Sequence, residues 1–454
     1  MLEAQFSDAR ILIADVRKPL AQITTNAIGP LNDMLEFLQT GPLSSQLGSV
    51  VEGSSGDGIS RLALDLDVPL SDAALEPLRV DGTVHLKNAQ VKSDPFGIDL
   101  ESVSGKVNFN ESGVTIDDLW VRYLGVPVRV KAVQQENRDG VLTRLTAQGP
   151  VAVSSVMRSY GIPLDESFEG LSNWNVELDI LKRSPNAEAE VKLTAVSDLS
   201  GTAINLPTPL RKPSDTLLQA KVTRDFSSRE NDWWLTIPGL VESRIRTDDE
   251  ENLESMAISL GNSGNTVLPW KGMALHGEIG RVDAMGWVEF ALDIQESQTD
   301  ESEPGSFPLF AKLGVRDLLV GNKDLGHAVY IAYQDGNQQI HRLESRYANG
   351  ELITGDDSVP DETLVFKLDS LDRIFLEAIG SAGDAAAEAG DSLPLDPREL
   401  PPFDISIKQL SWDNWRLSRV GLRTEPTEDG LAIKALTAHQ HSICLLYTSD
   451  AADE

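Results

Sequence analysis

Six histidines, one cysteine and 71 carboxylates are the raw material for catalysis in this chain of 454 residues. His439 and His441 stand two apart, a spacing that on a strand puts both rings on one face and could start a metal site. Two ligands are few for such a site, and a solvated pair is the simpler reading. Asp65 with Asp67, and Asp117 with Asp118, are carboxylate pairs of the kind that share general acid and base work. With so many carboxylates such pairs arise by chance, and Asp65 and Asp67 read as the wet side of a strand. Trp233 and Trp234 could stack on sugars, although tryptophans more often fill cores or cap hairpins. G-x-S-x-G, H-E-x-x-H, the Walker A motif and G-x-G-x-x-G are all missing. The residues therefore point away from an enzyme and call for no cofactor and no metal.

The composition narrows the classes further. Apolar residues make up 41% of the chain, enough for a sizeable core. The formal charge is -32, from 71 acidic and 39 basic side chains. Phosphate backbones need clustered Lys and Arg, so nucleic acid is a poor partner, and the acidity reads as a solubilising surface. No apolar run is long enough for a membrane helix, and "MLEAQFSDAR" lacks the regions of a signal peptide. The single cysteine, Cys444, opens "CLLYTSDAADE", a string that resembles the in-frame translation of a transposon-based sequencing adapter. Residues 444–454 are therefore expected to be an artefact to be set aside in reading the fold, with the natural protein continuing past residue 443. Disulfides, thiolate chemistry and cysteine metal sites then drop out.

The elements that would position any site are mostly strands. Residues 1–52 read as a partly helical entry segment, because Leu31, Met34, Leu35, Leu38, Leu43, Leu47 and Val50 recur at three- to five-residue steps around Gly41-Pro42. "GSSGDG" (53–58) reads as a joint. The period then becomes two, and residues 53–294 read as a first β region. A polar acidic loop is expected at 295–306, a second β repeat region at 307–379, a low-complexity linker or short alanine-rich helix at 380–391, and a third β repeat at 392–443. Residues 313–330 align without a gap on 405–422, matching Leu313 to Ile405, Val315 to Ile407, Leu318 to Leu410 and Tyr330 to Leu422. A looser copy opens at Val84 and closes with "GVTIDDL". Stacked hairpin units would each bury an apolar face only with their neighbours.

The alternation picks out one apolar face. Its candidate members in the first half are Leu62, Leu64 and Leu66, Val84 and Leu86, Val107 and Phe109, then Val126, Val128 and Val130. They continue with Val176, Leu178 and Ile180, then Leu206 and Leu210. The second half adds Phe290 and Leu292 (from the run Val288 to Ile294), Leu364 and Phe366, and Ile405 and Ile407. Apolar residues alternating with polar ones predict antiparallel strands with one dry and one wet face. A dry face needs a cover: a second sheet, helices or a ligand. An uncovered curved sheet would form a groove, in which an acyl chain of sixteen carbons would escape a cost of roughly 12 kcal/mol in water. Roughly twenty-five strands would make a trough about 120 Å long. On residues alone, an open groove and an ordinary array of β-sandwiches rank level, and each face residue is as well read as dry core.

Four stretches bear a resemblance that separates these readings. "GPLSSQLG" followed by "GISRLALDLDVPL", then "SDLSGTAINLPTPLRK", then "LHGEIGRVDAMGW", and finally "LPPFDISIKQLSW" with "GLAIKAL" occur in this order. Together they resemble the YhdP branch of the AsmA-like, bridge-like lipid transfer proteins of Gram-negative bacteria. Arg211 departs from the pattern, where the family often has glycine before the lysine. The resemblance implies an elongated, curved antiparallel sheet forming an open β-groove from stacked hairpin repeats, with short helices near the N-terminus. It implies a periplasmic protein anchored in the inner membrane by an N-terminal helix outside this sequence, so that Met1 would be internal or a gene-calling start. The implied cargo is phospholipid, whose acyl chains slide along the face, and the partner on the outer-membrane side stays unknown. The family supplies no catalytic residues. Two other readings keep their place: a structural or assembly factor of the envelope with a closed β core, and a carbohydrate-active β-protein.

Overall fold

A computed structural model describes residues 5–13, 20–40, 53–70, 78–93, 97–110, 113–138, 140–160, 162, 164–184, 187, 189–248, 252–261, 263–297, 308–355, 363–389, 401–427, 430–440 and 443–448. The chain forms two compact units: Met1–Thr202 with Ser214–Trp233, and Ala203–Pro213 with Trp234–Glu454. Both are built from strands, as period-two patterning requires.

In the first unit the strands run β1 (Gln5–Ile13), β2 (Leu20–Pro30), β3 (Ser54–Asp57), β4 (Ile59–Pro69), β5 (Arg79–Ser93) and β6 (Ile98–Asn110). They continue as β7 (Gly113–Tyr123), β8 (Val126–Asn137), β9 (Gly140–Val151), β10 (Phe168–Gly170), β11 (Ser172–Lys182) and β12 (Glu190–Ser197). β13 (Thr202–Ile204) falls across a unit boundary, and β14 (Ala220–Asp225) follows. The pairing order is β1-β2-β4-β5-β6-β7-β8-β9-β11-β12-β14, antiparallel at every step. No pairing among the described residues joins β1 to β14, so this sheet does not close on itself. The tight link from β7 to β8 uses Leu124 (φ 49°) and Gly125 (φ 80°), the two left-handed positions of a hairpin turn whose twist matches the strands.

Two sequence expectations change here. "GSSGDG" is not a joint: Ser54–Asp57 is strand β3, paired with Gln90–Ser93 on the overhang of β5. Gly56 allows this, because a Cβ there would press on the Leu31 side chain at 2.7 Å. The helical reading of the entry segment applies to α1 (Leu31–Thr40), while residues 5–13 and 20–30 are strands. Leu43, Leu47 and Val50 lie outside the described residues. A short helix, α2 (Val153–Ser159), follows β9.

β15 (Asp232–Ile237) crosses the third boundary. The second unit then runs β16 (Val241–Thr247), β17 (Leu253–Leu260), β18 (Gly272–Asp283), helix α3 (Ala284–Ser297), β19 (Leu309–Val320), β20 (Lys323–Asp324) and β21 (Ala328–Asp335). β22 (Gln338–Ser345), β23 (Ala348–Thr354), β24 (Leu364–Asp372) and helix α4 (Arg373–Ala389) come next. The last strands are β25 (Phe403–Trp412), β26 (Trp415–Thr427), β27 (Gly430–Gln440) and β28 (Ile443–Thr448).

In the second unit the sheet is mixed rather than purely antiparallel. β17–β18, β18–β19 and β24–β25 are parallel. Parallel neighbours need a crossover, and α3 and α4 supply it for the latter two. The strand expected at 288–294 is therefore corrected: Phe290 and Leu292 lie in α3. Apolar residues at 285, 287, 288, 290, 291, 292 and 294 satisfy a helical period as well as a period of two, and such short runs are ambiguous. The decisive local signal is Asp283, whose carboxylate accepts the Gly286 N–H at 3.1 Å, as Asp372 accepts that of Ile374 at 3.0 Å at the start of α4. Residues 380–389 continue α4.

The internal repeat has a structural counterpart. Leu313 pairs with Tyr330 and Val315 with Ala328, while their aligned residues pair as Ile405 with Leu422 and Ile407 with Val420. Each hairpin follows a strand, a helix and a parallel step, so the repeating element extends beyond the stretch first recognised by sequence.

Candidate functional site

Residues facing each other across a ladder share a face, so register alone traces the apolar surface. In the first unit one row runs Ala27, Leu62, Val84, Val107. Gly105, two residues from Val107 on the same face, carries it on to Leu119, Val130, Ala147, Val176, Ala195 and Val222. A parallel row holds Ala132, Leu145, Leu178 and Leu193. Leu62, Leu64, Leu66, Val84, Leu86, Val107, Phe109, Val126, Val128, Val130, Val176, Leu178 and Ile180 thus all fall on one face.

The opposite face is wet and paired. Arg144 donates two bonds to Asp179 at 2.6 and 2.7 Å, Lys192 meets Asp225 at 3.4 Å, and Arg129 grips Asp118 while its guanidinium stacks on Trp120. That guanidinium holds the Asp118 carboxyl below its ordinary range. Asp117 and Asp65 are exposed on this wet side, so the carboxylate pairs do not converge on a cleft. Trp233 and Trp234 stack with Arg224 and Arg244, not over an open sugar-sized platform.

The dry face is partly covered. Helix α1 lays Met34, Phe37 and Leu38 on Leu62, Leu64, Leu66, Val80, Val84 and Phe109. Leu31 of α1 joins the neighbouring cluster with Ala89, Val103, Leu119, Val121 and Val128. Farther along, Val176, Leu178 and Val222 are only half-buried. Tyr160, just past α2, meets Trp233 edge-on at 6.4 Å. Burial, with Tyr160 close by, pushes the Tyr123 hydroxyl up to about 12.

The second unit repeats the pattern. Its row runs Ile258, Leu275, Ala311, Ala332, His341, Leu352, Phe366, Ile405, Leu422 and Leu436. Leu364 and Ile407 lie on this face, and Phe366 packs against Phe403 at 6.1 Å. Leu210 does not sit in a strand of the face. It lies on top, packed with Val241, Leu260, Leu313 and Tyr330. Its loop closes through the Ile204–Lys212 bridge and is held to α3 by the Trp287 indole N–H donating to the Thr208 carbonyl at 3.0 Å. Leu206 in the same loop is half-buried. Phe290 meets Trp287 edge-on at 5.6 Å in α3, and the side chain of Leu292 lies outside the described residues.

Sequence reading missed Tyr330 and His341, which face the same surface and share a hydrogen bond of 2.7 Å between the tyrosine hydroxyl and Nδ1. Alternation gave no signal, since the buried residue of β22 is Ile340 on the other face; only the register sets His341 between Ala332 and Leu352. Burial pushes Tyr330 up to about 12 and His341 below its ordinary value near 6.5. The unfolded chain therefore takes up the imidazole proton first as pH falls. Stability is full above about pH 6.5 and declines below it, until the folded pKa is passed. Urea midpoints between pH 7.5 and 5.5 should fall for the wild type, and His341→Leu should flatten that slope.

Among the described residues no group of three or more His, Cys, Asp or Glu is placed to hold a metal, and no helix is long and apolar enough to cross a membrane. His441 lies outside them. What the geometry defines is a strand-built protein with an apolar row across the strands of each unit; the other face is ion-paired in the first unit, and in the second it carries both ion pairs and a buried cluster of Ile340, Ile353 and Val365. The family described as "YhdP protein" matches residues 1–449, and the chain belongs to that family. Membership points to a function related to lipid transport in the envelope. No curated protein and no solved structure matches the chain.

Proposed function

We propose that this chain is a non-enzymatic groove protein of the periplasm that carries phospholipid between the inner and outer membranes of a Gram-negative envelope. The observation that carries the reading is the apolar row itself, continuous across successive strands of each unit and backed in the first unit by an ion-paired face. Acyl methylenes lying on such a row leave water at a gain of about 0.8 kcal/mol each. A headgroup would stay at the wet margin, and no energy-coupling chemistry is needed for passive sliding. Family membership supports the envelope setting, with anchoring to the inner membrane through a helix outside this sequence. One observation favours a second reading, a structural or assembly factor with a closed core: α1 seats itself on the face at Leu62 and Leu64. Photo-crosslinking in cells from the half-covered part of the face separates the two. Phospholipid adducts support carriage; protein adducts alone, or none, overturn it.

A further inference from the structure

The row of the second unit holds a single ionisable residue. His341 sits between Ala332 and Leu352 in a line that otherwise reads Ile, Leu, Ala, Phe and Leu. Tyr330, its stacked neighbour at 6.1 Å, sits between Leu313 and Leu343. Two neutral polar groups are thus embedded where every other strand contributes hydrocarbon.

A proton count shows what they offer. A neutral tyrosine and a neutral histidine together carry two polar hydrogens, one O–H and one ring N–H. Their mutual bond uses one. The other remains a donor whichever tautomer the ring adopts, and among the described residues the pair bonds only to each other. Gln339, the next polar side chain on that face, is already engaged with the Leu309 backbone through both its donor and its acceptor. The adjacent cation, Arg342, belongs to the wet face, where it pairs with Glu344 and Glu351. Tyr330 and His341 are both half-buried and neither has a fully buried unpaired polar atom, so the remaining donor can be reached from outside and given to an acceptor that arrives with hydrocarbon on either side.

We infer that the Tyr330–His341 pair is a binding station for the ester carbonyl of a diacyl lipid lying on the apolar face of the second unit. The inference rests on the groove reading above and adds a chemical preference to it. An ester carbonyl is neutral, accepts one hydrogen bond and is flanked by alkyl chains, which matches a neutral donor within an apolar row. A phosphate would call for a cation, and Arg342, next to His341 in β22, faces the other way.

Ester and ether lipids separate the station from the groove. The full chain is titrated with short-chain phosphatidylcholine in diacyl form and with the dialkyl ether of the same chain length and headgroup. The wild type should bind the diacyl lipid about three- to tenfold more tightly, the range of one buried hydrogen bond. Tyr330→Phe with His341→Leu should bind both equally, whereas either single substitution keeps one donor and part of the preference. The His341 ring nitrogen resonances provide a readout that needs no substitution: the diacyl lipid should shift them and the ether lipid should not. Equal binding of both lipids by the wild type, or a preference that survives the double substitution, overturns the station while leaving the groove. If neither lipid binds, both the station and the groove are overturned.

Discussion

Gly82→Val should lower the stability of the first unit by about 3 kcal/mol or more, the upper part of the range for overpacking. Gly82 and Phe109 face each other across β5 and β6, and the Phe109 ring lies over the glycine. Any Cβ at residue 82 would overlap three atoms of that ring. The backbone there is ordinary, so the glycine is required by packing and not by a left-handed φ. Phe109 is itself buried with Leu62, Leu64, Val80 and Met34, and it cannot swing away without opening that cluster. Phe109→Ala alone should cost about 3–5 kcal/mol. The double variant should cost clearly less than the two added together, because the valine methyls enter the space the ring leaves. Urea unfolding of the four proteins in the cycle measures this coupling. Additive costs would show that the ring does not cover Gly82.

Val176→Asp is expected to act on function while sparing the fold. Val176 is half-buried between Ala147 and Ala195, small neighbours that leave a carboxylate room to reach water. Unfolding midpoints should therefore move little. A charge in the row, however, forces either desolvation of the carboxylate or a gap in the hydrocarbon contact of a passing acyl chain. Lipid capture at Val130 and Leu178, its near neighbours on the face, should drop by about tenfold, equivalent to ~1.4 kcal/mol. Leu64→Asp provides the contrast: Leu64 is 4% exposed beneath α1, and a charge there should unfold the unit. If Val176→Asp unfolds the chain as Leu64→Asp does, Val176 is closed core and the second reading gains.

Most strands could be read from the sequence because alternation is a local property with an unambiguous physical cause. Val126, Val128 and Val130 must share a face if they form a strand, and the register then joins them to Val121 and Leu119 on one side and Ala147 on the other. The covers were less legible, because they depend on where distant segments land. Nothing near Leu62 announces that Met34 will lie on it, and Leu210 resembles a lining residue until its loop is seen lying over Leu313. Phe290 illustrates the ambiguity of short apolar runs, where a crossover helix and a buried strand obey the same pattern. His341 was missed because its strand alternates around Ile340 on the other face, and an isolated histidine carries no signal until the register sets it beside Ala332 and Leu352 with Tyr330 next to it.

The central claim is that lipid lies on one face only, and β11 provides its most direct test. A photo-activatable residue is placed in turn at each position from Asn175 to Ile180, and phospholipid adducts are counted in cells. Val176, Leu178 and Ile180 face the apolar row, while Asn175, Glu177 and Asp179 face the ion-paired side. The account predicts capture with a period of two, strong at 176, 178 and 180 and at background at 175, 177 and 179. Capture at the odd positions, equal capture at all six, or none at any would contradict it.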